Sequence, residues 1–263
     1  MDATLGAALI GVIVAALLHG ISCGQAFYYY THVGEYKGSR DRWFGVKGVV
    51  LAVILFDTMH QALISHTVYY YVITSYGNPA SLQFTTWSVS LLLEVLFNGF
   101  TALLVQSFLA LRVYRLSEKS LPLTVLVGAL VLTEFGCVTA FAIIGLSNPL
   151  TFAFLATLQK LSVAVNALAA AGDVSITLSL VWLLRSKSRG FRRSEKMVNT
   201  LISYTVSTGL LTAACAVASL VSIVLRPDAF IYIAFFFCLG RLYSNSLLAT
   251  LNSRRGIRQS TSG

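Results

Sequence analysis

Asp57, His60 and Gln61 stand at i, i+3 and i+4, so a helix carries all three on one face. A carboxylate beside an imidazole can pass a proton, bind a cation or amine, or supply two ligands to a metal. Further polar stripes recur at helical spacing: Ser90, Glu94, Asn98 and Thr101; Ser162, Asn166, Asp173 and Thr177; Arg241, Asn245 and Asn252. Glu134 is a further acid in an apolar run, and His19, His66 and Lys160 are outlying members. His66 stands nine positions from Asp57, half a turn away, and faces elsewhere. Ionisable groups inside membrane-length segments are costly and mark functional sites by default. Four acids, Asp57, Glu94, Glu134 and Asp173, face one base, Arg241. Either some acids keep a proton or a cation or cationic ligand enters.

Depth sorts the set. Asp57, Asp173 and Arg241 fall near the middle of their segments, so Arg241 is expected to pair with Asp57 or Asp173. Glu94 lies closer to the outer end. Asp57, His60 and Glu94 therefore predict a cavity open to the outside. The opposing reading is that the seam Asp57, His60, Glu94, Asp173, Arg241 and Asn245 only satisfies itself and specifies helix packing. Other chemistry lacks its pattern. There is no His-x-x-x-His, His-Glu-x-x-His or Cys pair for a metal, no Gly-x-Ser-x-Gly and no phosphate loop. His19 and His60 as a bis-His haem pair are disfavoured. No catalytic residue, metal or cofactor is expected.

The elements that must position these groups are helices. Of 263 residues, 56% are hydrophobic and 11% charged, against about 25% charged in soluble domains. Mean hydropathy is +0.76. Seven segments reach the roughly 20 residues that span a bilayer, at about 5–30, 46–73, 87–112, 122–146, 158–184, 198–225 and 229–251. The predicted fold is all-α: one seven-helix membrane domain over 1–263. The first segment lacks the basic n-region of a signal peptide, carries Asp2 instead and is read as a spanning helix. The four cysteines all fall in apolar runs, so no disulfide framework is expected. Gly20-x-x-x-Gly24 reads as a close helix contact within the chain.

The bases behind the net charge of +9 concentrate in alternate connections; the others, around 75–86, 147–157 and 226–228, hold one base between them. The strongest is the loop Arg185–Lys196, with Arg185, Lys187, Arg189, Arg192, Arg193 and Lys196 against Glu195. Lys37, Arg40, Arg42 and Lys47, then Arg112, Arg115 and Lys119, then Arg254, Arg255 and Arg258 share its side. Basic residues are retained in the cytoplasm, which predicts the N-terminus outside and the C-terminus inside. The same rule explains the charge without nucleic acid. The expected partners are the bilayer, anionic lipids at the cytoplasmic face and a small ligand. The plasma membrane is preferred to internal membranes.

The stretch 172–257 also carries a resemblance. Its most telling pieces are Gly190-Phe191-Arg192-Arg193, Asn199-Thr200-Leu201, Thr208-Gly209-Leu210-Leu211-Thr212 and Tyr243 to Asn252. Asp57-Thr58-Met59-His60, Ile64-Ser65-His66 and Tyr76-Gly77-Asn78-Pro79 extend it into the N-terminal half. The chain resembles seven-helix membrane proteins of mushroom-forming fungi that carry domain of unknown function 6534 in their C-terminal half. The resemblance implies the architecture, a fungal origin and a basic residue at 241; it brings no activity and no site residues.

Three functions stay in view. The first is a non-enzymatic, receptor-like sensor. Against the largest receptor class, the third segment ends Leu111-Arg112-Val113-Tyr114 and the last lacks Asn-Pro-x-x-Tyr. It also has no Lys for a retinal Schiff base. The alternatives are a proton- or cation-coupled transporter and an intramembrane metal-dependent lipid hydrolase. Internal repeats and broken helices, which transporters often have, are not found.

Overall fold

The computed structural model describes residues 5–32, 40–76, 88–118, 120–147, 157–188, 192–226, 229 and 231–262. Side chains are described for the same residues less 40–44, 88, 89, 91, 187, 188, 192–201 and 254–262. The described residues form seven α-helices: α1 (Ala7–His32), α2 (Arg40–Tyr69), α3 (Ser88–Leu116), α4 (Leu121–Leu146), α5 (Gln159–Ser188), α6 (Arg192–Leu225) and α7 (Ile231–Ser262). All seven contain a stretch long and apolar enough to cross a membrane. The protein is thus an all-helical, multi-pass membrane protein. In hydrocarbon a helix satisfies its backbone internally, so apolarity alone selects this form.

Burial follows the logic of lipid as solvent. Large apolar side chains such as Leu17 (67% exposed) and Leu178 (64%) face outward. The interior holds small residues, Ala15, Ala26 and Ala216 among them, together with the polar groups. Small residues let helices approach closely. At Gly11 backbone meets backbone, because a Cβ there would lie 2.6 Å from the Ala234 Cα of α7. Gly20 and Gly24 behave otherwise. Nothing lies within 4 Å of a Cβ at either, so the predicted intrachain contact is absent. They face away from α7, on the exposed side of α1.

Each helix packs on its neighbour in sequence, and α7 closes the ring against α1. α3 runs centrally and also touches α5 and α7, while α2 touches α7. Two amides stitch the closure. Asn245 Nδ2 donates to the Leu18 carbonyl at 3.0 Å, and Asn252 Nδ2 donates to the Gln25 carbonyl at 2.9 Å. Both partners advance by two helical turns, so α1 and α7 keep one register over that length.

Helix ends refine the predicted boundaries. Pro122 falls in the first turn of α4, where its missing N–H costs nothing. α3 ends at Leu116, with Glu118 in the left-handed region at φ 56° as its terminator. α2 continues into a π-helical turn, Tyr70–Thr74. The Arg185–Lys196 stretch is mostly helix rather than loop. Arg185 and Lys187 lie in the last turns of α5, and Arg192, Arg193 and Lys196 in the first turns of α6. Arg and Lys are good helix formers, so charge alone does not break the helix. Arg189 lies outside the described residues, as do Lys37, Lys119 and the connections around 77–87 and 148–156. The basic tail is likewise helical, since α7 reaches Ser262.

Candidate functional site

The predicted seam divides into two polar centres. The first joins α1, α2 and α7. Arg241 is fully buried, and its Nη1 pairs with Asp57 Oδ1. Arg241 Nη2 donates to Gln61 Oε1 at 3.1 Å, and His19 Nδ1 meets Asp57 Oδ2 at 3.3 Å. Thr58 Oγ1 and Cys23 Sγ lie 3.4 and 3.6 Å from His19 Nε2. On the i, i+3, i+4 face of α2, Asp57 and Gln61 share Arg241, while His60 does not bond to it. Of the two candidate partners for Arg241, Asp57 is the one engaged.

Apolar clusters close this centre above and below. Toward the start of α1 lie Ala8 and Ala15 with Ile64, Val68 and Phe237. Toward its end lie Ala26, Tyr29, Val50, Val53, Val105, Leu247 and Leu248. His19, Asp57 and Arg241 fall between these layers on their own helices. Asp57 and His60 are 0% exposed and Glu94 3%. Among the described residues, Asp57, His60 and Glu94 are thus enclosed rather than lining the outward-open cavity predicted for them. Phe237, whose ring stands beside His60, belongs to the apolar layer around Ile64.

His60 sits beside two rings, with Phe236 and Phe237 centroids at 6.5 and 6.3 Å. Among the described residues, neither of its ring nitrogens has a hydrogen-bond partner. Glu94 Oε2, Asn98 Oδ1 and Arg241 Nε are also buried without one. Gly240 lets Asn98 in: a Cβ there would collide with Asn98 Oδ1 and lie 3.9 Å from Asp57 Oδ1. α3 thereby brings its polar stripe against α7 beside the Arg241 pair.

The second centre joins α3, α4, α5 and α7. Gln106 Nε2 lies 3.1 Å from Glu134 Oε2, 3.3 Å from Asp173 Oδ1 and 3.1 Å from the Tyr243 hydroxyl. Tyr243 donates to Asp173 Oδ2 at 3.0 Å, and Thr212 of α6 adds a hydroxyl contact to Asp173. All these residues are buried. Asp173 therefore belongs here and not with Arg241.

Gln106 and Tyr243 escaped the sequence reading. The stripe 94, 98, 101 continues at Val105 on the 3.6 period, and Gln106 lies one residue further round, facing α4 and α5. Tyr243 reads as one more aromatic in an apolar run. Its place two residues after Arg241 turns it about 200° away, toward the other centre. Asn245 holds α1 rather than an ionisable group. His66 and Lys160 are on exposed faces.

Among the described residues, no three His, Cys, Asp or Glu side chains gather as metal ligands. His19 turns to Asp57 and His60 to the Phe rings, so the two do not form a haem pair. Cys23, Cys137, Cys215 and Cys238 are free thiols.

No curated protein and no solved structure matches the chain. Residues 169–256, which include Asp173, Arg241, Tyr243 and Asn245, are similar to a family of unknown function (DUF6534).

Proposed function

We propose that this protein is a non-enzymatic, receptor-like membrane sensor whose two buried polar centres are its switching element. One observation carries the reading: the Arg241–Asp57 pair, fully buried, joins α7 to α2 with His19 of α1 alongside. A buried pair of this kind costs more to break than to keep, so it favours discrete helix arrangements over continuous drift. A stimulus acts by favouring one arrangement, and it needs no open pocket at the charges themselves.

The N-terminus is outside and the basic ends of α3, α5 and α7 are cytoplasmic, on the positive-inside rule. Those ends meet anionic lipids, the plasma membrane is the preferred site, a small ligand is the stimulus, and nucleic acid is not a partner.

A second reading, a proton-coupled carrier, has one observation in its favour. Glu134 and Asp173 converge on a single amide nitrogen, and neither touches a basic side chain among the described residues. One experiment separates the two. Spin labels at Leu116 and Ser203 report the α3–α6 distance in lipid nanodiscs, and proteoliposomes with a trapped pH dye report proton flux. The sensor reading expects Asp57→Asn to shift the distance distribution while flux stays at the background of empty vesicles. A steady flux that Asp173→Asn abolishes would replace it with the carrier reading.

A further inference from the structure

The atoms around Arg241 leave a specific chemical demand. At the junction of α2, α3 and α7, His60 Nδ1 and Nε2, Glu94 Oε2, Asn98 Oδ1 and Arg241 Nε are all buried without a hydrogen-bond partner among the described residues. His60 follows Asp57 by one turn on α2, and Glu94 precedes Asn98 by one turn on α3. Asn98 Oδ1 lies over Gly240, the residue before Arg241. α2, α3 and α7 thus each bring such atoms to the neighbourhood of the Asp57–Arg241 pair.

Their roles are mixed. Glu94 Oε2 and Asn98 Oδ1 accept. Arg241 Nε–H donates. A neutral imidazole gives one donor and one acceptor. The set asks for a partner that serves three acceptors and two donors. A metal cation would satisfy the acceptors, strand both donors and lie against a guanidinium. An anion would meet the donors and be repelled by Asp57 and Glu94. A neutral molecule that both donates and accepts meets the demand. Enclosure limits its size, since His60 and Arg241 are 0% exposed and Glu94 3%.

We propose that His60, Glu94, Asn98 and Arg241 form a binding site for internal water. Buried waters make about three hydrogen bonds each, so five protein atoms take roughly two of them. The consequence is mechanical. α2 and α7 are held by direct contacts, Asp57 to Arg241 and Gln61 to Arg241. Through Glu94 and Asn98, α3 joins that centre by water, whose bonds exchange at low cost. α3 can therefore shift against a locked α2–α7 pair without stranding a polar atom.

The test uses the full chain in lipid nanodiscs. A structure at a resolution that reveals water is expected to hold density between His60, Glu94 Oε2 and Asn98 Oδ1, at hydrogen-bond distances from them. Direct side-chain pairing of those atoms with nothing between, or an ion in their place, would overturn the site. Stability provides an independent arm. If water bridges these groups, Asn98→Leu expels it, strands His60 and Glu94, and lowers Tm. If the atoms are merely unpartnered, Asn98→Leu removes one of them and raises Tm. His60→Phe carries the same opposed expectations and keeps the test open should Asn98→Leu fail to fold. A rise in Tm for whichever variants fold refutes the proposal.

Discussion

Removing Arg241 tests the centre of the fold most directly. Arg241→Leu leaves the Asp57 carboxylate fully buried, with His19 Nδ1 at 3.3 Å as its remaining side-chain partner. Breaking a buried ion pair from one side costs about 3–5 kcal/mol, because a charge remains without compensation. A typical domain has only about 5–15 kcal/mol of stability, so the single variant loses a large part of it. Asp57→Leu strands the guanidinium, with Gln61 Oε1 at 3.1 Å, and is expected to cost a similar amount. The double variant carries neither charge. It leaves His19 and Gln61 each short of one contact, at about 1 kcal/mol apiece. Arg241→Leu alone is therefore expected to be less stable than Arg241→Leu/Asp57→Leu. The coupling energy should exceed about 2 kcal/mol, whereas independent sites add within about 0.5. Hydrogen-bonded pairs in a membrane average about 0.6 kcal/mol in such cycles, so a larger value identifies the charge. Reversible unfolding by SDS titration in mixed bicelles measures all four species. Additive single effects, or a double variant less stable than Arg241→Leu, would refute the pairing as the source of stability.

The second centre yields a sharper single change. Tyr243→Phe removes the hydroxyl that donates to Asp173 and meets Gln106, and should cost about 2 kcal/mol in the same titration, as for hydrogen bonds to charged groups. The exposed Tyr76→Phe should stay within about 0.5 kcal/mol, and equal effects would remove the network from the account. At the α1–α7 contact, Gly11→Ala forces a methyl against the Ala234 backbone and should destabilise by about 1–3 kcal/mol. Gly20→Ala meets nothing and should be neutral or mildly stabilising; a reversed order would mean that α1 packs by its other face. For orientation, a Gly190→Cys probe in a background without the four native cysteines should react with an impermeant thiol reagent only after permeabilisation. Reaction in intact cells would invert the topology.

Much of the architecture is local information. Each span is legible because hydrocarbon demands an unbroken apolar run and a helix satisfies its own backbone, so composition over about 20 residues decides the element. The Asp57–His60–Gln61 face is equally local, since 3.6 residues per turn fixes which side chains align. The stretch Arg185–Lys196 shows the limit of such reading. Its charge marks a polar boundary, and the helices on both sides run into it.

Pairing is where locality ends. Arg241 is 184 positions from Asp57, and Asp173 offers the same charge near the same depth. Only the rotation of α7 in the closed ring decides between them. It turns Arg241 toward α1 and α2 and Tyr243 toward α3 and α5, so the two acids acquire different partners. Gln106 becomes a hub for the same reason: an uncharged amide is unremarkable in sequence until α4 and α5 bring two carboxylates to one nitrogen. Enclosure, too, is a property of the assembly. Polarity alone makes Asp57, His60 and Glu94 look like the lining of an open cavity, and the packing of the helices buries all three.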